Sequence, residues 1–148
     1  MDFPSRPPEQ IEVSELMENA LGVPVMEAHL SRDMILVLQT EKDVYEAVPD
    51  LDIVSKIPGC VNLIITAQGR EADFVSRYFT PGISIPEDPV TGSAHSSLIP
   101  FWAKRLGKEK LTAHQLSKRG GILYCQDKGD RVKISGNAIL YLAGEIYL

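Results

Sequence analysis

Cysteine is scarce in this chain: of 148 residues only Cys60 and Cys125 carry a thiol. They lie far apart, form no C-x-x-C and have no histidine at metal-ligand spacing. A zinc site or a disulfide framework is therefore not expected. Cys60 follows the turn signal Pro58-Gly59 and Cys125 lies in an apolar strand pattern, so both read as reduced thiols of a cytosolic protein. Basic clusters are missing too. The net charge is -5, and the short pairs Lys104-Arg105 and Lys118-Arg119 read as solvated surface, which argues against a nucleic-acid partner. No apolar run is long enough to span a bilayer, so no membrane partner is expected. Met1-Asp2-Phe3-Pro4 lacks the basic and apolar regions of a signal peptide. There is no repeat, no low-complexity tract and no linker. What is present, 44% hydrophobic and 24% charged residues, is the composition of a soluble globular protein, read as a single domain over residues 1–148 with a real core.

The pattern along the chain is many short strands with few helices. The opening, residues 3–8, is extended and proline-rich. Residues 9–21 carry Ile11, Val13, Leu16, Met17 and Ala20 near helical period, ending at Gly22 and Pro24. Residues 25–29 and 34–39 read as strands joined by a tight hairpin through Leu30-Ser31-Arg32-Asp33. Thr40 with Asp43 three residues on marks a helix start, and a short helix over 51–56 ends at Pro58-Gly59. Residues 63–67 and 72–79 are strands. Four more follow the central helix, over 111–117, 121–125, 131–135 and 138–147, with glycine turns between most of them. The expected fold class is α+β: a curved, mostly antiparallel sheet wrapped around a central buried helix.

That helix, residues 92–106, is apolar nearly all round through Leu98, Ile99, Phe101, Trp102 and Ala103, which marks it as buried. Pro100 removes one of its backbone hydrogen bonds, and Gly107 ends it. A buried helix N-terminus leaves backbone N–H groups without partners and carries partial positive charge. Thr91 or Ser93 can cap one or two of them, and an anionic ligand can satisfy the rest. Gly92 leaves room for its approach. Asp88, stiffened between Pro86 and Pro89, stands beside this terminus. Its carboxylate either transfers a proton or caps the helix dipole, and spacing alone leaves both open. Glu87 reads as exposed. Ser93 and His95 are two residues apart on a helix and point to different sides, so they do not form a nucleophile–base pair. The stretch T-G-S-A-H also lacks the glycine of a nucleophile elbow. His95 reads as a satisfied core histidine or a donor facing the ligand.

The run Ile85-Pro86-Glu87-Asp88-Pro89-Val90-Thr91-Gly92-Ser93-Ala94-His95, with Leu98, Pro100, Phe101 and Trp102 after it, closely resembles the PhzF-like family of phenazine biosynthesis. Asp73-Phe74-Val75-Ser76-Arg77-Tyr78-Phe79 is similar to the family's strand leading to its site. Arg119-Gly120-Gly121 and Val132-Lys133-Ile134-Ser135-Gly136-Asn137-Ala138 are similar to its late strands. Asp2-Phe3-Pro4-Ser5-Arg6-Pro7-Pro8 resembles the opening of its second half, so the chain is read as the second, C-terminal half only.

The resemblance implies a diaminopimelate-epimerase-like fold of two lobes, each wrapping strands around a central helix, with both helix N-termini facing one cleft. It implies a metal-free, cofactor-independent isomerase or epimerase that moves a proton on a small carboxylated metabolite of the dihydro-hydroxyanthranilate type. Asp88 then takes the role of the second-lobe catalytic aspartate, and Gly92 and Ser93 that of substrate-carboxylate contacts, with Thr91 and His95 beside them. The family's principal acid/base, a first-lobe glutamate near a glycine-asparagine-proline motif, has no counterpart here; Gly136-Asn137-Ala138 lacks the proline. A lobe without its partner exposes apolar surface, so a homodimer or pairing with a first-lobe polypeptide is expected. The alternative reading is a non-catalytic module that binds an anion or a protein partner.

Overall fold

A computed structural model describes residues 1–146, with ten strands and four helices among them. The strands are β1 (Asp2–Pro4), β2 (Glu9–Ile11), β3 (Glu27–Leu30), β4 (Met34–Val37), β5 (Leu63–Gln68), β6 (Phe74–Phe79), β7 (Glu87–Asp88), β8 (Lys110–Gln115), β9 (Gly121–Asp127) and β10 (Arg131–Ser135). The helices are α1 (Glu15–Leu21), α2 (Glu41–Glu46), α3 (Leu51–Val54) and α4 (His95–Leu106). All strands join one sheet in the order β1-β10-β9-β8-β6-β5-β4-β3-β2, with β7 added on β6. Only β4 with β5 and β6 with β8 pair in parallel. The expected α+β class and mostly antiparallel sheet are therefore present.

The order of strands forces the sheet to curl. Its two outermost strands, β1 and β2, are consecutive in sequence and joined by residues 5–8 alone. Pro4 and Glu9 can be at most roughly 18 Å apart even with the chain fully extended. The edges are thus drawn toward each other over α4, and the joining strap is bonded to what it crosses. Ser5 N–H donates to the Asp130 carbonyl, and Arg6 N–H to the Ser96 carbonyl, each at 2.9 Å. The second bond has a cause in the sequence. Pro100 has no N–H to offer the carbonyl four residues before it, so the Ser96 oxygen is free to receive the strap.

Strand alternation divides the core in two. Ile35, Ile64, Phe74, Tyr78, Leu111, Ala113, Leu123, Cys125, Val132 and Ile134 face α4 and pack with Leu98, Ile99 and Trp102. Their neighbours Met34, Leu36, Leu63, Ile65, Val75 and Phe79 face the other way, onto α1, α2 and α3. Trp102 stacks on Phe74 with ring centroids 5.7 Å apart and donates its indole N–H to Thr66 Oγ1 at 3.0 Å. This second layer of helices was not anticipated from sequence. Periodicity marks a buried strand but does not say what covers each face.

Several expectations are corrected. Residues 9–21 are not one helix. Residues 9–11 pair with β3 as β2, and α1 starts only after Ser14, whose backbone is extended; a sheet partner outweighs propensity there. The central helix starts at His95 rather than Gly92, because residues 92–94 form a tighter turn with Gly92, Ser93 and Ala94 carbonyls accepting from His95, Ser96 and Ser97. The strand expected over 138–147 is absent over residues 138–146, and residue 147 lies outside the described residues. β10, the strand before it, already has β9 and β1 on its two sides. The hairpin through Arg32, the Thr40–Asp43 helix start and the left-handed Gly107 stop occur as expected.

Candidate functional site

β7 carries Asp88 and pairs with the end of β6, setting Asp88 opposite Tyr78 and Glu87 opposite Phe79. Glu87 is not the exposed residue expected. It is half-buried and takes a two-pronged ion pair from Arg77, 2.7 Å at Nε and 3.0 Å at Nη2. Arg77 Nη1 also donates to the Val44, Tyr45 and Ala47 carbonyls at the end of α2. Glu87 therefore anchors the turn through a guanidinium that also closes a helix, the geometry arginine serves best.

The next step of the chain is held by a side chain that the sequence reading missed. Gln115, the last residue of β8, is buried on the same face as Leu111 and Ala113. Its Nε2 donates to the Asp88 carbonyl at 2.8 Å and to Thr91 Oγ1 at 3.3 Å, while its Oε1 accepts from Thr91 N–H at 2.7 Å. Ser117 Oγ donates to the Pro89 carbonyl at 2.7 Å. The available signal was a polar residue at an inward position of an alternating strand. Thr91 Oγ1 in turn donates to Asp88 Oδ2 at 2.7 Å. Asp88 thus accepts from the Thr91 hydroxyl, and no helix N–H bonds its side chain among the described residues. Neither Thr91 nor Ser93 caps α4 as expected, because both hydroxyl groups have other partners.

The N-terminus of α4 is left open. Among the described residues, the N–H groups of Gly92, Ser93 and Ala94 have no acceptor. A Cβ at Gly92 would touch only the Met1 methyl carbon, at 3.5 Å, so this glycine is not needed for packing. A cation also stands here. Arg32, from the β3–β4 hairpin, donates to Ser93 Oγ at 3.1 Å. Its guanidinium is aimed by Asp33 at 2.7 Å, and buried Asp33 is held by Asn62 at 2.9 Å. The hydrogen bond that Arg32 donates to Asp33 keeps the Arg32 charge fixed, and Tyr78 beside it is pushed up to about 12 by burial and the Asp33 charge. Arg32 carried no sequence signal, since it lies some sixty positions from Ser93 in a hairpin turn. A cavity of about 460 Å³ adjoins the turn, bounded by Glu87, Pro89, Ser117, Lys118 and Arg119. On this chain the terminus opens at the surface.

His95 is fully buried, and its Nδ1 lies 2.8 Å from the Thr91 carbonyl. A carbonyl only accepts, so Nδ1 carries the proton. Burial lowers its pKa to about 4, so the ring is neutral at physiological pH. Nε2 has no partner among the described residues. His95 therefore braces the turn from inside and is engaged away from Ser93, in line with the rejection of a Ser–His pair. Both cysteines are free thiols, pushed up by burial to about 11 at Cys60 and about 12 at Cys125, which makes them poor nucleophiles. Among the described residues no group of three or more His, Cys, Asp or Glu could hold a metal ion, and no helix is long and apolar enough to cross a membrane.

The sequence and the structure both have relatives. The family model described as phenazine biosynthesis-like protein (PhzC-PhzF) matches residues 7–144. An uncharacterized isomerase of Pseudomonas aeruginosa is 46% identical over 149 residues, which cover 100% of this chain and 57% of that protein. A phenazine biosynthesis-like domain-containing protein of Rattus norvegicus is 35% identical, over 96% of this chain and 55% of its own length. Among solved structures, a PhzF-family protein of Enterococcus faecalis matches with a TM-score of 0.91 and 47% identity, again over 100% of this chain and 57% of that one. One from Bacillus anthracis, at 14% identity and TM-score 0.73, shares the fold. The chain spans 57% of the length of the Pseudomonas aeruginosa and Enterococcus faecalis relatives, more than the half to which the sequence reading had confined it.

Proposed function

Because the chain belongs to the phenazine biosynthesis-like PhzC-PhzF family, we propose that it is one lobe of a cofactor-independent isomerase or epimerase that acts by proton transfer. Its substrate is a small carboxylated metabolite of the dihydro-hydroxyanthranilate type. The observation that carries this reading is the pairing, within one turn, of an oriented carboxylate with an unsatisfied cationic helix end. Asp88 is held by the Thr91 hydroxyl at 2.7 Å, and the free N–H groups of Gly92, Ser93 and Ala94 lie next to it. The substrate carboxylate accepts from the Gly92 and Ser93 amides, with the Ser93 hydroxyl and Arg32 as further donors. Thr91 leaves one oxygen of Asp88 unbonded, and that oxygen orients or exchanges the proton. His95 acts by fixing the Thr91 carbonyl. The partner of this proton transfer is a glutamate of the first lobe, which has no counterpart among these 148 residues.

The test is deuterium uptake from solvent into a dihydro-hydroxyanthranilate-type substrate, followed by NMR, with this chain alone and with a first-lobe polypeptide. Uptake in the paired sample that is lost in Asp88→Asn supports the reading; no uptake in folded, paired protein overturns it. The open α4 terminus also favours a second reading, a module that binds anions without turnover. In that case benzoate binds and weakens in Gly92→Val, yet no deuterium enters any substrate.

A further inference from the structure

Neighbouring residues of a strand point to opposite faces, so an adjacent arginine and aspartate do not meet there. At the tip of the β3–β4 hairpin they do. The chain turns through Ser31, Arg32 and Asp33, and the Ser31 N–H donates to the Asp33 carbonyl at 3.2 Å. The turn folds the Arg32 guanidinium back onto its neighbour. Nη2 donates to Asp33 Oδ2 at 2.7 Å, and Nε donates to the same oxygen at 3.2 Å.

Asp33 is the fixed member of this pair. It is buried, whereas the Arg32 side chain is 43% exposed. Its second oxygen, Oδ1, accepts from Asn62 Nδ2 at 2.9 Å, and the Asn62 carbonyl accepts from the Met34 N–H at 2.9 Å. Met34 and Leu63, the residues that follow these two, open the parallel pairing of β4 with β5. The carboxylate thus divides its oxygens between the arginine and the root of the sheet. A buried carboxylate needs such partners. An arginine on a hairpin tip is otherwise free to sample many rotamers, and this anchor holds Arg32 in one.

The held rotamer has a consequence at Ser93. A guanidinium donates and does not accept, so in the 3.1 Å contact with Arg32 Nη2 the Ser93 Oγ is the acceptor. The single hydroxyl hydrogen of Ser93 therefore lies away from Arg32. Among the described residues that hydrogen meets no acceptor, and Arg32 Nη1 bonds to none either. With the bare amides of Gly92, Ser93 and Ala94, this end of α4 presents donors alone. A carboxylate ion only accepts and matches that set; a carboxamide, whose NH2 donates, does not.

We propose that Asp33 is a positioning residue for substrate selection: by locking Arg32 against Ser93 Oγ it turns the Ser93 hydroxyl into a donor, and so favours an ionised carboxylate over the uncharged amide. This rests on the reading of the α4 end as the seat of the substrate carboxylate. Asp33 touches no substrate and acts through Arg32 alone.

The sign of one substitution separates positioning from mere proximity. Asp33→Asn keeps the shape and removes a negative charge from beside an anion site, so charge alone would tighten benzoate. Positioning predicts the reverse: benzoate weakened about fivefold in a calorimetric titration, with the weaker ligand benzamide little changed. In an Arg32→Gln background Asp33→Asn should cause no further weakening, since its route is gone. NMR relaxation of the Arg32 Nε–H reads the cause without any ligand. Its order parameter should be about 0.85 in wild type and fall below about 0.6 in Asp33→Asn. Asn62→Ala leaves the ion pair but cuts its root, and should move both readings the same way by less. It decides the matter if circular dichroism shows Asp33→Asn unfolded, and readings that do not move in it count against the proposal. Benzoate bound as tightly or more tightly by folded Asp33→Asn overturns it. So does equal weakening with Arg32 already replaced, or an Arg32 as mobile in wild type as in the variant. Benzoate that fails to bind wild type, with Arg32 rigid there and released in Asp33→Asn, sinks instead the reading of the α4 end as an anion seat and leaves the lock standing.

Discussion

Thr91 joins Gln115 to Asp88: its backbone N–H donates to Gln115 Oε1 at 2.7 Å, and its hydroxyl donates to Asp88 Oδ2, also at 2.7 Å. Gln115 closes the loop by donating to the Asp88 carbonyl. A single buried amide thereby holds both ends of the turn that precedes α4. Replacing Gln115 with Leu leaves the buried Thr91 N–H and the half-buried Asp88 carbonyl without their protein partner. The expected cost is about 2 kcal/mol of stability, read as a lower urea midpoint. Gln115→Glu, which keeps the shape and the acceptor but not the donor, should fall between wild type and Gln115→Leu.

His95 makes stability depend on pH. Its folded pKa, about 4, lies below the ordinary value of 6.5 because burial disfavours the charged ring. Between these values the unfolded chain binds more protons than the folded one, so this contribution is fully present above pH 6.5 and is lost as pH falls toward 4. Roughly 3 kcal/mol is at stake. Thermal unfolding of wild type and His95→Phe from pH 7.5 to 4.5 checks this: the gap between their melting temperatures should change in favour of the variant as the solution is acidified.

Two glycines near the site should respond oppositely to alanine. At Gly121 a Cβ would stand 2.5 Å from Val90 Cγ2, on the residue before Thr91, so Gly121→Ala must displace the site turn and should cost about 1–3 kcal/mol. At Gly92 the Met1 methyl carbon at 3.5 Å is an ordinary contact, so Gly92→Ala should leave the urea midpoint nearly unchanged. If an anion docks on the bare amides, Gly92→Ala should nonetheless weaken benzoate binding in a titration by about tenfold.

Arg32 gives a charge-based prediction. Its side chain is 43% exposed, so its ion pair with Asp33 is partly screened, and Arg32→Gln should cost only about 1 kcal/mol of stability. Its effect on anion affinity should be larger, about tenfold for benzoate at low salt, since a charge-assisted donor is removed from beside Ser93. Wild-type affinity should fall with added salt and that of Arg32→Gln should fall less.

Much of the architecture was legible before any coordinates. The apolar circumference of residues 98–103 announced a buried helix, an apolar run marked β5 and partial alternation β6, and glycine turns separated β8, β9 and β10. These features are local: period, turn chemistry and caps act over a few residues. The failures share one physical origin. Residues 9–11 are a strand because β3 offers them a ladder, and residues 138–146 are not one because nothing in this chain does. Strand formation is decided by a partner that local sequence does not describe.

The candidate site divides along the same line. The sequence by itself determined the stiff Pro86–Pro89 turn, the carboxylate within it and the bare amides of Gly92 and Ser93, since these follow from ring constraints, a missing Cβ and the unpaired donors that every helix start exposes. Only the tertiary structure decided that Gln115 and Thr91 orient Asp88, that Glu87 belongs to Arg77, and that Arg32 stands over Ser93. Thr91 is three positions from Asp88, but the other relations join residues between ten and sixty-one positions apart, and it is the curling of the sheet over α4 that closes the distance.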